Sequence, residues 1–384
     1  MANSQYTALN SGTNGPVISI AKDGCGNIYL AGTFSQAGGV AVSGLAYYNS
    51  NSNSYSAVPN FNISGTTVTA VTTDCTGAVS CGACKVAVAG VFELNTPSGV
   101  AKNIAVMVGG NWYPLGDATE TAALLGVSTL KFGGSVLYVG GAFANLFRFA
   151  TLDIAQTGTT VTGVTASWKS SNITFTATMN DVFVGGVIPS VKEIVVVQGA
   201  GVYFGGNFLS SVCNYVCVYN LQTSTFQSVG TSDNAIIGIV YGMSFDNSTL
   251  LYASGKFDTT KKDAPFVAVT RVAANSVAGD GWRATGYQWS VLQPSGGFAY
   301  KIEAIDSRFY AYSTGSYAVT VPGGLAFFYD ADVRIPFPFA KNTPNSNYNY
   351  LSIVNVPVNG SGVLASNFTL VMLCVILFLF FVQQ

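Results

Sequence analysis

Cysteine is the residue type whose spacing in this sequence most directly allows chemistry. Cys25, Cys75, Cys81 and Cys84 fall around the first two predicted turns, and the last two form a Cys-x2-Cys pair. In an oxidising compartment such thiols form disulfides that staple a turn, whereas in a reducing compartment four thiolates bind zinc. Disulfides are favoured, because Cys-x2-Cys pairs of structural zinc sites come in twos. No metal site is therefore predicted.

Cys213 and Cys217 are a further pair of disulfide candidates. In an extended strand their Cα atoms would lie ~13 Å apart, which is beyond the reach of a disulfide. A bond between them requires Asn214 and Tyr215 to turn the chain. The connectivity of the six cysteines outside the C-terminal tail is not fixed by their spacing.

Catalytic side chains are scarce. The 384 residues include no histidine, which excludes Ser-His and Cys-His nucleophiles and imidazole metal ligands. Only 9% of residues are charged, and no two carboxylates form an evident acid–base couple. The sequence therefore predicts no catalytic residue and no cofactor.

Four charged residues fall inside segments that we interpret as the innermost strands of a radial sheet array: Lys192, Glu193, Lys301 and Glu303. Such strands line a central channel, so these side chains are candidate ligand-binding residues. The alternative is that they pair with one another or with water, as structural ion pairs commonly do.

Composition indicates short strands and tight turns. The chain is 49% hydrophobic and contains 43 glycines, 20 tyrosines and 25 phenylalanines, a mixture typical of β-structure. The 16 Lys and Arg residues are scattered and the formal net charge is −1. No basic surface for nucleic acid is predicted.

One short motif recurs six times and organises the chain. It reads as an aromatic residue, two small or apolar residues, and then Gly-x-aromatic, and five of its copies begin with Tyr. The copies are YLAGTF (29–34), AVAGVF (87–92), YVGGAF (138–143), YFGGNF (203–208), YASGKF (252–257) and YSTGSY (312–317).

The flanks of the motif repeat as well. A turn lies about nine residues before the motif glycine, and apolar segments such as 17–21 and 191–197 precede it. After the motif come an apolar segment with a small second residue and then a segment that starts with an aromatic residue, as in 55–58, 112–115, 226–229 and 289–292. These four segments predict the strands A, B, C and D of one propeller blade.

The sixth copy has no clear strand D, but residues 6–9 match it at the opposite end of the chain. We therefore predict an all-β fold, a six-bladed β-propeller over residues 1–339 whose N-terminal strand closes the last blade. An Asn/Ser/Pro-rich stalk is predicted over 340–362, and a hydrophobic tail over 363–384.

The repeats resemble those of kelch-type and galactose-oxidase-like propellers, above all the extracellular repeats of fungal cortical-marker surface proteins. Units of that kind read like YVGGNF, followed by an IA-x-Y strand and a W-x-x-L strand, and the resemblance spans residues 6–330. It implies the fold, but not one activity, because propellers have many unrelated functions. The histidine-ligated copper site of galactose-oxidase-like proteins cannot be carried over.

The C-terminal tail predicts attachment to a membrane. Residues 368–382 are apolar and uncharged, and small residues precede them. This pattern is typical of a GPI-attachment signal, with Asn359 or Ser361 as the attachment site. The alternatives are a buried C-terminal helix or a tail anchor on a cytosol-facing protein.

The sequence expectations for localisation conflict. Residues 1–12 lack the features of a secretory signal, whereas three sequons at Asn62, Asn172 and Asn247 are candidate N-glycosylation sites. We expect the extracellular face of the plasma membrane, with a signal peptide upstream of Met1. A chain that never enters the secretory pathway is the alternative.

Long connections are predicted between strands B and C and between strands D and A, whereas most A–B turns are short. Long loops on a rigid scaffold commonly carry recognition. We therefore expect a non-catalytic binding, adhesion or scaffold module for a protein or glycan ligand. The alternative is a carbohydrate-active enzyme that uses Glu303 with Lys192 or Lys301.

Overall fold

The chain has an all-β secondary structure wherever its structure is described. The structure is a computed structural model, and it describes residues 12–15, 17–24, 27–49, 52–75, 84–116, 124–143, 149–156, 164–170, 173–177, 179, 188–245, 249–260, 267–274, 277–282, 298–305, 308–314 and 325–329. No helix occurs in these ranges. Accordingly, none of these residues belongs to a helix long and apolar enough to cross a membrane.

Consecutive strands pair antiparallel, in chain order, to form successive sheets. The first sheet consists of β1 (Val17–Lys22), β2 (Asn27–Gly32), β5 (Leu45–Asn49) and β6 (Ser54–Ala57), and a small hairpin of β3 (Gln36–Ala37) and β4 (Val40–Ala41) lies between β2 and β5. The second consists of β7 (Ile63–Asp74), β8 (Lys85–Thr96), β9 (Gly99–Val108) and β10 (Asn111–Pro114).

The later sheets repeat this order. The third contains β11 (Val127–Gly133), β12 (Val136–Gly141), β13 (Phe149–Gln156) and β14 (Val164–Ser170), and the fourth contains β15 (Ser190–Val197), β16 (Gly201–Leu209), β17 (Asn214–Asn220) and β18 (Thr225–Ser228). Three strands are described in the fifth, β19 (Ile236–Phe245), β20 (Leu250–Thr259) and β21 (Val267–Arg271), and in the sixth, β22 (Phe298–Ile305), β23 (Arg308–Thr314) and β24 (Leu325–Tyr329).

The observed strand order agrees with the order predicted within each repeat. The segments that begin near Tyr55, Trp112 and Phe226 form β6, β10 and β18, each the outer strand D of its sheet. Segments 6–9 and 289–292 lie outside the described residues. Six blades, ring closure by the N-terminal strand, and domain boundaries after 339 and 362 therefore stay predictions.

The chain divides into two compact units. Unit 1 comprises Met1–Val139, Phe143–Ser171 and Asn349–Gln384, and unit 2 comprises Gly140–Ala142 and Asn172–Tyr348. In unit 1 the first strands of the first three sheets contact each other: β1 contacts β7, and β7 contacts β11. In unit 2, β15 likewise contacts β19, which contacts β22. Contact between successive first strands is the arrangement expected of propeller blades.

Polar side chains join these first strands in unit 1. The Ser19 hydroxyl accepts a hydrogen bond from the Val71 amide at 3.1 Å. The Thr73 hydroxyl donates to the Lys22 carbonyl at 2.6 Å, and the Thr69 hydroxyl donates to the Val127 carbonyl at 2.7 Å. Side chains therefore satisfy backbone groups between neighbouring sheets, which fixes their relative register.

The repeated Gly-x-aromatic motif forms an irregularity at the strand B–strand C pairing. Its three residues stand opposite a single strand C residue, because the register shifts between Ala89 and Glu93 in the second sheet and between Gly205 and Leu209 in the fourth. In both sheets the single residue has a positive φ, 62° at Asn103 and 61° at Tyr215. Gly44 in the first sheet, with φ 72°, lies at the equivalent position. The motif thus forms a similar β-bulge in these sheets.

The motif glycine is required by close backbone approach. A Cβ atom on Gly206 would lie 2.0 Å from the Ser190 carbonyl oxygen of the neighbouring strand, and comparable contacts of 2.2 and 2.1 Å arise at Gly90 and Gly255. No side chain can be accommodated at that distance from the backbone. The recurrence of this glycine in the sequence therefore reflects sheet geometry rather than a ligand.

Tryptophan side chains connect successive sheets within each unit. The Trp112 indole N–H donates to the Pro59 carbonyl at 2.9 Å in unit 1, and the Trp282 indole N–H donates to the Val229 carbonyl at 3.1 Å in unit 2. Both indoles are almost completely buried. Trp282 was not singled out by the sequence pattern, which assigns the corresponding strand to residues 289–292.

Candidate functional site

The predicted channel residues of the fourth sheet lie at an irregularity of β15. The pairing of β15 with β16 shifts register between Val191 and Glu193, so that Lys192 is the additional residue of the bulge. Lys192 and Glu193 are both buried, with 7% and 8% of their surface exposed, and both make further contacts. The structure therefore places adjacent charged residues in a largely solvent-excluded position.

Two uncharged polar residues lie next to this bulge. Ser190 and Asn207 face each other across β15 and β16, and both are fully buried. The Asn207 amide N–H donates to the Met179 carbonyl at 2.9 Å, whereas the Ser190 hydroxyl oxygen and Asn207 Oδ1 have no hydrogen-bond partner among the described residues. A buried polar pair of this kind is the usual environment of an ordered water molecule.

The second pair of channel candidates lies in the sixth sheet. Lys301 and Glu303 belong to β22, where they stand opposite Tyr312 and Tyr310 of β23. Their strand assignment agrees with the sequence prediction, and their side chains are outside the described part of the chain. A role for these residues in binding or catalysis stays a prediction.

Disulfides predicted from the sequence are present in both units. Cys75 bonds Cys84 at the β7–β8 connection, with the Cα atoms 4.3 Å apart. The Gly24 amide of the first sheet donates to Cys75 Sγ at 3.0 Å. Cys25 and Cys81 lie outside the described residues, and among the described ones no cluster of three or more His, Cys, Asp or Glu could hold a metal ion.

The chain turns between Cys213 and Cys217, as the sequence analysis required for a disulfide between them. Tyr215 turns the chain by adopting a left-handed conformation, and the Cα atoms of the two cysteines lie 5.5 Å apart, far less than in an extended strand. Both cysteines are buried. The bond closes the start of β17 next to the turn that follows β16.

Two tyrosines have altered acidity. Burial, together with the negative charges of Asp23 and of ionised Tyr47, raises the pKa of Tyr29 to about 12. Burial also raises the pKa of the Tyr203 hydroxyl, which donates to the Val277 carbonyl at 2.7 Å. Neither tyrosine can act as an acid or base near neutral pH, so both have a structural role.

We expect the free energy of unfolding to fall as the pH rises above 10. The pKa of these tyrosines is higher in the folded chain than the value of about 10 in an unfolded chain. Below pH 10 the tyrosine hydroxyls are protonated in both the folded and the unfolded chain. Between about pH 10 and 12 the unfolded chain loses these protons first, which favours unfolding. Urea unfolding at pH 9 to 11.5 should show this loss, and a smaller loss for Tyr29→Phe. Equal pH dependence in the variant and the wild type would contradict the assignment to Tyr29.

Exposed apolar side chains concentrate at one end of the sheets. We call one end of each sheet its loop end. Strand B ends there, strand C begins there, and the D–A connection enters strand A there. Six of the seven large hydrophobic residues that are exposed in the described ranges lie at the loop ends of their own sheets: Val91, Val100, Leu125, Ile188, Val212 and Ile237. The seventh, Leu221, lies in the C–D turn at the opposite end of the fourth sheet.

Side chains hold the loop end of the first sheet in a fixed conformation. Asn14 Oδ1 accepts hydrogen bonds from the amides of Ser35 and Gln36, each at 2.9 Å. The Asn14 side-chain N–H donates to the Ser35 hydroxyl at 2.9 Å. The segment before β1 thus fastens the B–C connection, which itself contains the β3–β4 hairpin.

The loop end of the fourth sheet is equally constrained. The Ser210 hydroxyl accepts from the amides of Val212 and Cys213, at 3.2 and 3.0 Å, and donates to the Cys213 carbonyl at 2.8 Å. The disulfide to Cys217 lies directly beside this turn. Val212 is consequently presented on a rigid turn with 42% of its surface exposed.

The second sheet extends furthest at its loop end. β8 and β9 continue past the Gly-x-aromatic motif, with Glu93 opposite Lys102 and Asn95 opposite Val100. Phe92, Leu94 and Ala101 are buried on one side of this hairpin, and the opposite side is exposed. We call that exposed side, formed by Val91, Glu93, Asn95, Val100 and Lys102, the hairpin face.

One predicted glycosylation site is described. Asn62 is exposed in the D–A connection directly before β7. Asn172 and Asn247 lie outside the described residues, as do the predicted attachment residues Asn359 and Ser361. An N-glycan at Asn62 would therefore stand at the loop end of the second sheet.

The comparison with family profiles agrees with the topology. The profile described as the Rax2 C-terminal beta propeller domain matches residues 166–294, which begin in β14 and cover the fourth and fifth sheets. Together with the four-stranded antiparallel sheets, this match identifies the fold as a β-propeller. No curated protein matches the chain.

Several solved structures are similar to this chain at low identity. They include the extracellular domain of a one-component system from B. thetaiotaomicron, with 11% identity, a TM-score of 0.46 and coverage of 91% of this chain. This chain spans 37% of that protein's length. A nidogen/laminin complex has 8% identity, a TM-score of 0.39 and coverage of 75% and 86%. The WD40 beta propeller domain of Doa1 has 11% identity, a TM-score of 0.30 and coverage of 80% and 91%.

Proposed function

We infer that this chain is a non-catalytic binding or adhesion module on the extracellular side of the plasma membrane. It binds a protein or glycan ligand through the loop ends of its sheets. The observation that carries this proposal is the concentration of exposed large apolar residues at those ends. Exposed side chains on the connections of a rigid scaffold are candidate contacts for a ligand.

The rigidity of the loop ends also supports binding. The hydrogen bonds of Asn14 order the B–C connection of the first sheet, and the Cys213–Cys217 disulfide orders that of the fourth sheet, before any ligand is present. A site that is ordered in advance loses less conformational entropy when it binds. Loops arranged in this way suit recognition on a propeller scaffold.

An extracellular location is favoured by three features of the chain. Disulfides form and persist in oxidising compartments, Asn62 is an exposed sequon, and the repeats resemble those of fungal cortical-marker surface proteins. The Rax2 propeller profile over residues 166–294 is compatible with that resemblance. Catalysis is not proposed, because no described residue favours it over binding.

The binding proposal predicts unequal effects of matched substitutions. Val212→Asp and Ile237→Asp place a charge at the loop ends of the fourth and fifth sheets and should reduce ligand binding at least tenfold, because each desolvates a carboxylate in the interface. Leu221→Asp is the control, since Leu221 is similarly exposed at 38% but lies at the opposite end. Binding of the full-length chain is measured on a glycan array and on membranes isolated from cells of the same source. Equal binding by all variants, or loss with Leu221→Asp alone, would contradict the proposal.

The anchor is proposed as a GPI group at Asn359 or Ser361, attached as the peptide bond after that residue is cleaved and the C-terminal segment with the tail 363–384 is released. Phosphatidylinositol-specific phospholipase C should then release the chain from intact cells that express it behind a secretory signal. Mass spectrometry should find no peptide from the tail. Retention on the membrane with the tail still attached would contradict lipid anchoring and favour a tail anchor.

A further inference from the structure

The hairpin face combines features that a solvated sheet surface usually lacks. Val91 and Val100 expose 53% and 42% of their surface. The Glu93 carboxylate and the Lys102 ammonium lie between them and form an ion pair at 2.7 Å, with their side chains 54% and 35% exposed. Valines around an exposed ion pair form a small apolar surface with a charged centre.

The pairing of β8 and β9 fixes the relative positions of the residues on this surface. Glu93 stands directly opposite Lys102, and Asn95 directly opposite Val100. On the reverse side Leu94 and Ala101 are buried, and Phe92 packs edge to face against Phe61, with the ring centroids 5.8 Å apart. The burial of that side prevents the hairpin from rotating to bury its valines. The hairpin face therefore stays exposed in the isolated chain.

The charge pattern of the face is complementary to itself. One carboxylate and one ammonium lie side by side. A two-fold axis that lies in the plane of the face, passes through their midpoint and is perpendicular to the line between them therefore places Glu93 of each copy against Lys102 of the other. A two-fold interface requires this kind of self-complementary patch. Exposed sheet faces can pack against each other. A partner of strong net charge would gain nothing from a face with zero net charge.

We propose that the hairpin face is a two-fold pairing surface for a second copy of this chain. Two copies bury Val91 and Val100 against each other and exchange the Glu93–Lys102 ion pairs. The face is much smaller than the ~800 Å² per partner of a standard interface, so pairing is weak in dilute solution. Copies tethered close together reach a high effective concentration, which compensates for weak affinity. This inference goes beyond the proposed function and needs no separate ligand, but the tethering of the copies rests on the anchor proposed above.

Charge reversal tests the pairing directly. Glu93→Lys gives the face two positive charges and Lys102→Glu gives it two negative charges, so each variant should self-associate at least tenfold more weakly than the wild type. An equimolar mixture of the two should recover association as a heterodimer. The measurement is sedimentation equilibrium of the full-length chain in detergent, up to ~1 mM, with one variant carrying a mass tag.

Two controls separate pairing from folding and from glycosylation. Asp233→Lys reverses an exposed carboxylate in a loop of unit 2 and should associate like the wild type; thermal unfolding of each variant checks that it is folded. Because Asn62 lies directly before β7, every sample is measured with and without enzymatic removal of N-glycans. Pairing in either sample, lost in both reversals and recovered in the mixture, supports the proposal. A monomeric wild type in both samples, reversals that pair as well as the wild type, or a mixture without recovery would overturn it.

Discussion

Gly206→Ala is expected to destabilise unit 2 strongly. The added Cβ atom would lie 2.0 Å from the Ser190 carbonyl oxygen, which belongs to the backbone of the paired strand and cannot move aside alone. The clash must separate β15 from β16 in a fully buried part of the sheet. We expect a loss of at least about 4 kcal/mol in the free energy of unfolding, which corresponds to a fall in Tm of more than ~8 °C. Thermal unfolding followed by circular dichroism measures it.

A matched glycine in the same sheet provides the control for this substitution. Gly199 lies in the β15–β16 turn with φ 72°, and a Cβ there would meet no atom within 4 Å. Gly199→Asn should change the free energy of unfolding by about 1 kcal/mol or less, because asparagine tolerates this conformation. If Gly206→Ala and Gly199→Asn melt at the same temperature, the close approach described for the motif glycine is wrong.

Trp112→Ala should produce the second large effect, in unit 1. It removes a buried indole that packs against Phe61 with the ring centroids 4.8 Å apart, and it deletes the hydrogen bond to the Pro59 carbonyl. Truncation of a buried aromatic side chain costs about 3–5 kcal/mol. Urea unfolding, followed by the midpoint concentration, measures the loss.

Trp112→Phe separates the two causes of that loss. Phenylalanine retains much of the apolar contact with Phe61 but leaves the Pro59 carbonyl without its donor, so the cost should be about 1–3 kcal/mol. The midpoint of Trp112→Phe should therefore lie between those of the wild type and Trp112→Ala. A Phe variant as unstable as the Ala variant would attribute the whole effect to the hydrogen bond rather than to packing.

The strand order could be predicted because each repeat contains its own local signals. The motif glycine, the aromatic start of strand D and the turn near Asp23 recur at similar spacings, and Asp23 Oδ1 indeed accepts from the Asn27 amide at 2.9 Å. Local signals do not show which residue supports an irregularity. Asn103 and Tyr215 adopt left-handed conformations because the register opposite the motif requires one such residue. Asparagine tolerates this conformation, whereas tyrosine disfavours it, so the conformation of Tyr215 could not be predicted from its residue type.

Contacts between elements distant in the sequence were harder to predict. Trp282 resembles any other buried aromatic residue in the sequence, and only its hydrogen bond to Val229 reveals that it joins two sheets. The hairpin face was missed for a similar reason. Val91 occupies the variable position of the motif, and Val100 and Lys102 lie on the same face because β8 and β9 pair beyond the motif.

The sequence indicated at which end of the sheets the candidate site lies, but not which residues form it. Long B–C and D–A connections pointed to the loop ends, where the exposed apolar residues lie, but no pattern in the sequence selects Val212 or Ile237. The charged candidates Lys192 and Glu193 proved buried, since a bulge places both beside the motif of the next strand. Lys301 and Glu303 stay candidates in β22.

The disulfide between Cys75 and Cys84 has a practical consequence for detecting this protein. It joins the ends of the β7–β8 connection, with the Cα atoms 4.3 Å apart, next to the pairing of Asp74 with Lys85. A short epitope tag inserted between residues 76 and 83 should lengthen a closed loop at little entropic cost, because that cost grows only with the logarithm of loop length. A single protease cut in the same loop leaves the polypeptide covalently joined. Cleavage there becomes visible on a gel only after the sample is reduced.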